Sequence, residues 1–279
     1  MGVIHAGPGR HALGLPCPRM GSAPPSTAPA PPLAHDDVGS GDAVVFVHAF
    51  PFDARMWSAE RILLSPRHRV ITPDLRGFGR SRGLAAPRTI AEHADDVAAL
   101  CASIGVTRAR IVGLSMGGYV ALALAHRHPA LVTSLGLCDT RSAPDAEDAR
   151  AGRARSIALV GERGVGALVD ALLPRLCADQ TGEPVREQIR RIAADQAAPG
   201  VIAALVAMRD RPDTTPWLGG ISVPTLVVVG SHDALTPPDE ARAMAERMPD
   251  ARVIEIPGAG HLPCFEQPDA FARALATMD

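Results

Sequence analysis

The run Gly113-Leu114-Ser115-Met116-Gly117 has the pattern G-x-S-x-G. It follows Arg110-Ile111-Val112-Gly113-Leu114, a short apolar run that reads as a strand, and it precedes Met116 to His126, which reads as a helix closed before Pro129. A serine on so tight a strand-to-helix turn is held in a strained backbone conformation. Its Oγ is presented at the sheet edge, and the helix N-terminus behind it favours developing negative charge. Glycines flank it because a Cβ there would meet the neighbouring strand and helix. The chemistry this implies is nucleophilic attack, which needs a base, an acid to orient the base and amides to hold an oxyanion.

Ten histidines compete for the role of base. His126 and His128 lie at the far end of the nucleophile helix. His5, His11 and His35 are in or near the N-terminal tail, and His68 precedes a strand at the wrong sheet edge. His93 sits inside a surface helix, where it is expected to be solvated. His261, in Pro257-Gly258-Ala259-Gly260-His261-Leu262-Pro263, follows the last strand in a Gly-bracketed loop that can aim an imidazole back at the serine. Two carboxylates stand at strand ends, Asp233 in Ser231-His232-Asp233-Ala234 and Asp139 in Cys138-Asp139-Thr140-Arg141. Asp139 has a simpler use, pairing with Arg141 or capping the entry to the segment that follows. The expected oxyanion donors are the amides of Met116 and Phe50, the latter in Val47-His48-Ala49-Phe50-Pro51, where Pro51 has no N–H to give. Cys138 and Cys264 are the alternative nucleophiles to test near these positions. Neither sits at a strand–helix elbow that would lower its pKa.

The elements that must position these groups alternate. Ala43–Val47, Arg69–Thr72, Arg110–Leu114, Val132–Cys138, Thr225–Val229 and Arg252–Ile256 are strand-like, with helical signals between them, including a Thr89/Glu92 capping box that opens a helix running to Ile104. This is an α/β pattern: a mostly parallel sheet with helices on both faces. Residues 142–217 break the alternation with helical signals only. They are expected to form a helical cap over the ligand-binding edge of a core made of residues 32–141 and 218–279. Leu168, Leu172, Leu173, Leu205 and Met208 are its expected apolar lining. Residues 1–31, rich in Pro, Gly and Ala, are expected to be a disordered tail. Because prolines fill it, the stretch before Leu33 offers no first strand.

Composition narrows the function further. All 28 basic residues are Arg, and the chain contains neither Lys nor Asn. That excludes a P-loop lysine, a Schiff-base lysine and an N-glycosylation acceptor. Without a basic cluster interleaved with aromatics, nucleic acid is a poor partner. No apolar window is long enough for a membrane span. The five cysteines, Cys17, Cys101, Cys138, Cys177 and Cys264, form no C-x-x-C pair and read as small buried hydrophobes of a cytoplasmic protein.

Four segments, in order, resemble the α/β-hydrolase superfamily over residues 33–279: Val47 to Pro51, Asp74-Leu75-Arg76-Gly77-Phe78-Gly79-Arg80-Ser81, the Ser115 elbow and the Gly-Ala-Gly-His segment. The resemblance implies the order Ser115, Asp233, His261 for nucleophile, acid and base, and so favours Asp233 over Asp139. Ser115 disfavours the haloalkane dehalogenases and epoxide hydrolases of this fold, which carry Asp at the elbow. Gly113-Leu114-Ser115-Met116-Gly117-Gly118 and His48-Ala49-Phe50-Pro51 resemble small bacterial esterases and 3-oxoadipate enol-lactonases, except that Ala49 stands where Gly is usual. The expected activity is hydrolysis of a small-molecule ester or lactone without cofactor or metal. A lactonase for an acidic ring compound would place a buried Arg in its pocket, with Arg141 the first candidate. A catalytically silent ligand-binding member is the remaining reading.

Overall fold

A computed structural model describes Met1 and residues 32–278, so residues 2–31 of the expected tail, with Cys17, lie outside the described residues. Seven strands form one sheet in the order β1-β3-β2-β4-β5-β6-β7. They are β1 His35–Val38, β2 Ala43–Val47, β3 Arg69–Pro73, β4 Ala109–Leu114, β5 Val132–Cys138, β6 Thr225–Gly230 and β7 Ala251–Ile256. Only the β1–β3 pair is antiparallel; every other neighbouring pair is parallel. The central strands are buried on both faces, as their unbroken Val/Ile/Leu runs require. Two helix pairs cover them. α1 (Ser58–Leu64) packs on α9 (Pro268–Ala276), and α2 (Ile90–Ser103) packs on α3 (Met116–Arg127). The capping box that opens α2 is formed: the Glu92 amide donates to the Thr89 hydroxyl at 3.2 Å, and the Thr89 amide donates to the Glu92 carboxylate at 3.0 Å.

The strand that the sequence does not announce is β1. Its residues, His-Asp-Asp-Val, are half-buried or exposed, because an edge strand needs only one covered face and tolerates charge. Between β5 and β6 the described residues are helical: α4 Glu147–Leu176, α5 Glu183–Ala194 and α6 Ala198–Arg209. α4 breaks at Gly164, where φ is 79°. α7 (Pro238–Ala245) and the short α8 (Pro263–Glu266) complete the chain. No single described helix is long and apolar enough to cross a membrane.

Two buried ionisable groups bear on stability. His93 is not solvated: it lies on the face of α2 shared with Ile90, Ala94 and Val97, and is 1% exposed. Burial, reinforced by His48 and Arg76, pushes its pKa down to about 3. Glu60 on α1 is fully buried and neither carboxyl oxygen finds a partner. Burial raises its pKa to about 8. Below pH 6.5 the unfolded chain gains a proton that folded His93 refuses, so that contribution falls towards acid. Above about pH 4.5 the unfolded chain releases a proton that folded Glu60 keeps, so that contribution falls as pH rises towards 8.

Glu60→Gln should therefore melt several degrees above the parent at pH 8, a gain of about 2–4 kcal/mol, with the difference shrinking to little by pH 5. Thermal unfolding across that range measures it. Parallel melting curves at all pH values would mean that Glu60 ionises in the fold as it does in water.

Candidate active site

The sheet order places β4, β5, β6 and β7 side by side and parallel, so their C-terminal ends share one edge. Ser115, Asp139, Asp233 and His261 each follow one of these strands. Ser115 sits between β4 and α3 with φ 54° and ψ −112°, a conformation that costs a non-Gly residue free energy. The turn is tied on both sides. The Ser115 amide donates to the Cys138 carbonyl at 2.9 Å, and the Thr140 hydroxyl donates to the Ser115 carbonyl at 2.8 Å. The flanking glycines are required by close approach. A Cβ on Gly113 would lie 2.1 Å from the Gly117 carbonyl, and one on Gly117 would lie 2.1 Å from that of Val47.

His261 and Asp233 meet in the buried layer beneath the edge. His261 Nδ1 is 2.8 Å from Asp233 Oδ2. Asp233 also accepts from the Leu235 amide at 2.7 Å, the Thr236 amide at 3.0 Å and the Thr236 hydroxyl. Burial opposes ionisation of Asp233, but the His261 ring and these donors outweigh it and hold the pKa down to about 2. An ionised Asp233 makes Nδ1 the protonated nitrogen of His261 and leaves Nε2 free to accept. The loop that carries His261 is anchored from behind. Its amide donates to the Leu176 carbonyl at 3.1 Å, and Glu266 on α8 accepts from the amides of Gly260 and Ala178.

The other sequence candidates fall as follows. The Phe50 and Met116 amides donate to no other protein group among the described residues. The Phe50 loop is held by His48, whose Nε2 accepts from the Leu75 amide at 3.0 Å while Nδ1 faces the Ala49 carbonyl. His126 stacks on Trp217, and His128 pairs with Asp95, both remote from the serine. Asp139 does not pair with Arg141, which binds Glu240 and the Leu235 carbonyl instead. Asp139 turns inward, 1% exposed, and accepts from the Gly230 amide at 2.8 Å. Cys138 and Cys264 are buried thiols whose pKa values are pushed well up, first by burial and then by neighbouring acids.

Ser115 and His261 open into a cavity of about 470 Å³ whose wall includes Phe50 and Tyr119. Of the five apolar side chains expected over the serine, Leu172, Leu205 and Met208 line it; Leu168 and Leu173 do not, being packed among the helices. Leu176 lines it as well. Sequence reasoning missed Asp145 and Arg153 on the cavity wall, and the buried Arg211 that binds Asp145 without itself lining the cavity. Arg153 and the buried Arg211 both bind Asp145, and the Arg211 guanidinium lies 4.1 Å from the centre of the Tyr119 ring. Nothing in the linear pattern marks Arg211, because its partners are 66 and 92 positions away.

A model of the alpha/beta hydrolase fold family matches residues 42–268. A Mycobacterium tuberculosis protein provisionally named non-heme bromoperoxidase BpoC is 32% identical, over 87% of this chain and 95% of its own. The malate-bound structure of a thermophilic esterase from Thermogutta terrifontis superposes with a TM-score of 0.85 at 42% identity, covering 88% of this chain and 92% of that one. The enol-lactonase of Burkholderia xenovorans LB400 gives a TM-score of 0.82 at 30% identity, covering 88% and 95%.

The glycine geometry makes a stability prediction. Gly117→Ala should cost about 3 kcal/mol or more, because the Val47 backbone cannot yield. Gly166→Ala, at a helical position where a Cβ meets nothing within 4 Å, should be neutral or stabilising by up to about 1 kcal/mol. Denaturant unfolding of the two variants tests the contrast; equal effects would remove the steric account of the turn.

Proposed function

The chain belongs to the alpha/beta hydrolase fold family, and on that premise we propose that it is a serine hydrolase of small-molecule carboxylic esters, working through an acyl-enzyme. Ser115 Oγ attacks the acyl carbon while His261 Nε2 takes its proton. Asp233 keeps the ring in the required tautomer and stabilises the imidazolium. The Met116 and Phe50 amides receive the oxyanion. His261 then protonates the leaving alcohol, and water releases the acid by the same route in reverse. The observation that carries this reading is the convergence of a conformationally strained serine and a carboxylate-paired histidine on one cavity. The esterase and enol-lactonase among the similar structures are consistent with ester-bond chemistry.

A second feature favours an acidic ester or lactone as substrate. Arg141, Arg153, Arg155 and Arg175 line the cavity against Asp145 and Asp148. Arg141 and Arg153 are engaged in ion pairs, and the buried Arg211, which binds Asp145, does not itself line the cavity. Arg155 and Arg175 have no ion-pair partner among the described residues, which leaves two guanidinium groups to meet a substrate carboxylate. The proposal includes a cytoplasmic location, supported by the free, buried state of the four described cysteines.

A fluorophosphonate should add one phosphonyl group with loss of fluoride, mapping to Ser115 by peptide mass spectrometry. Ser115→Ala should lose labelling and fall roughly 10³–10⁶-fold in hydrolysis of p-nitrophenyl esters, with binding largely kept. Asp233→Asn should also lose orders of magnitude, because its amide favours the wrong tautomer of His261. Undiminished turnover in Ser115→Ala would move the nucleophile elsewhere and sink the proposal.

A further inference from the structure

The acid layer beneath His261 holds two carboxyl groups. Oxygens of Asp139 and Asp233 and a ring nitrogen of His261 all lie within 4.8 Å of one another, with the three residues 1%, 3% and 3% exposed. Two carboxylates this close, out of water, cannot both ionise at moderate cost. The donors around them decide which one does. Asp233 receives four: the Leu235 and Thr236 amides, the Thr236 hydroxyl and His261 Nδ1. Asp139 receives one, from the Gly230 amide on Oδ1, and its Oδ2 has no partner. A buried oxygen without a donor suits a carboxylic acid and penalises a carboxylate.

We propose that Asp139 is a positioning residue, a second carboxyl that stays protonated beside Asp233 so that the pair sets a single negative charge against His261, and that takes over as the charged partner when Asp233 is neutralised. The inference rests on the assignment of Ser115, Asp233 and His261 above. Burial, and then the charge of Asp233, raise the Asp139 pKa well above the usual carboxylate range, with Glu266 on α8 adding to the effect. The other titratable groups around it are Cys138 on β5 and Cys264 on α8, with Glu60 beyond them; none of these supplies a positive charge. When Asp233 becomes Asn, the repulsion disappears while burial remains. The Asp139 proton can then leave to solvent as pH rises, and a carboxylate is restored within 4.8 Å of the imidazole.

Asp139→Asn suits the site, because φ is 44° there, a region that Asn tolerates well, and its carbonyl can still accept from Gly230. In this variant the His261 imidazole, followed by NMR in isotopically labelled protein, should titrate within about 0.3 unit of the parent, since one neutral group replaces another, and kcat/KM should drop by about tenfold or less. In Asp233→Asn the residual kcat/KM should rise with pH as Asp139 ionises. Adding Asp139→Asn should remove that rise and lower the residue by a further tenfold or more. A move of the His261 titration by a unit or more towards acid in Asp139→Asn would show that Asp139 carries charge in the parent, and would overturn the proposal. Equal residual activity of the single and double variants would overturn the takeover. Absence of ester hydrolysis in the parent would count against the assignment of function, while the NMR titration still tests the charge state of Asp139.

Discussion

Parallel pairing from β4 to β7 forces four consecutive strands of the sheet to end at one edge, and the site follows from that constraint. Each strand hands one group to the edge: Ser115, Asp139, Asp233 and His261. They come from positions up to 146 residues apart, yet no loop has to travel far. An antiparallel neighbour would send the next strand end to the opposite edge. The one antiparallel strand, β1, is kept at the far margin, where it affects none of these groups. The sheet edge thus supplies the coarse geometry, and short-range hydrogen bonds refine it. Ser115 bonds to the end of β5, Asp139 to the end of β6, and His261 to the last turn of α4.

That last bond extends the argument to the helices that cover the edge. Glu266 collects amides from both the His261 loop and the segment after α4, so the imidazole and the roof of the cavity are fastened to one carboxylate. Gln196, between α5 and α6, does the same on the other side, donating to Asp53 at 2.7 Å and accepting from the Gly79 amide at 2.9 Å. Arg211 and Asp145 form the third fastening, against Tyr119 of α3. Gln196 and the Arg211–Asp145 pair are buried and Glu266 is half-buried, so breaking each would strand its partners at a cost above what the bond itself contributes. The cavity shape is therefore tied to the same residues that hold the serine and histidine loops.

What could be read from the sequence was what is local. The Ser115 elbow, the Gly-bracketed His261 loop and the buried strands each carry their signal within about ten residues. His93 carried a signal too: it falls three residues after Ile90 and four before Val97, on the buried face of α2. Its polar chemistry argued for solvent, and the helical period argued correctly for the core. β1 was invisible because an edge strand of His, Asp and Asp has no apolar period. Asp139 was misjudged because Arg141 stands two residues away, and adjacency in sequence is a poor guide at a strand end. Its backbone turns inward with positive φ, while the Arg141 side chain reaches across to Glu240. Glu266, Gln196 and Arg211 act between segments 60 or more residues apart, a separation that no local pattern records.

The absence of lysine gives this site a particular electrostatic character. Every cation around the cavity other than histidine is a guanidinium, which keeps its charge over the whole working pH range. The arginine contribution to the charge of the cavity wall is therefore constant across that range. His261, held by Asp233, stands at the sheet edge, while burial pushes the Cys138 and Cys264 thiols well up and keeps them protonated. On the proposed function, binding would rest on the fixed charges of the cavity wall and proton transfer on His261 at the sheet edge. With that separation, pH dependence in kcat reports the sheet edge, and salt dependence in KM reports the wall.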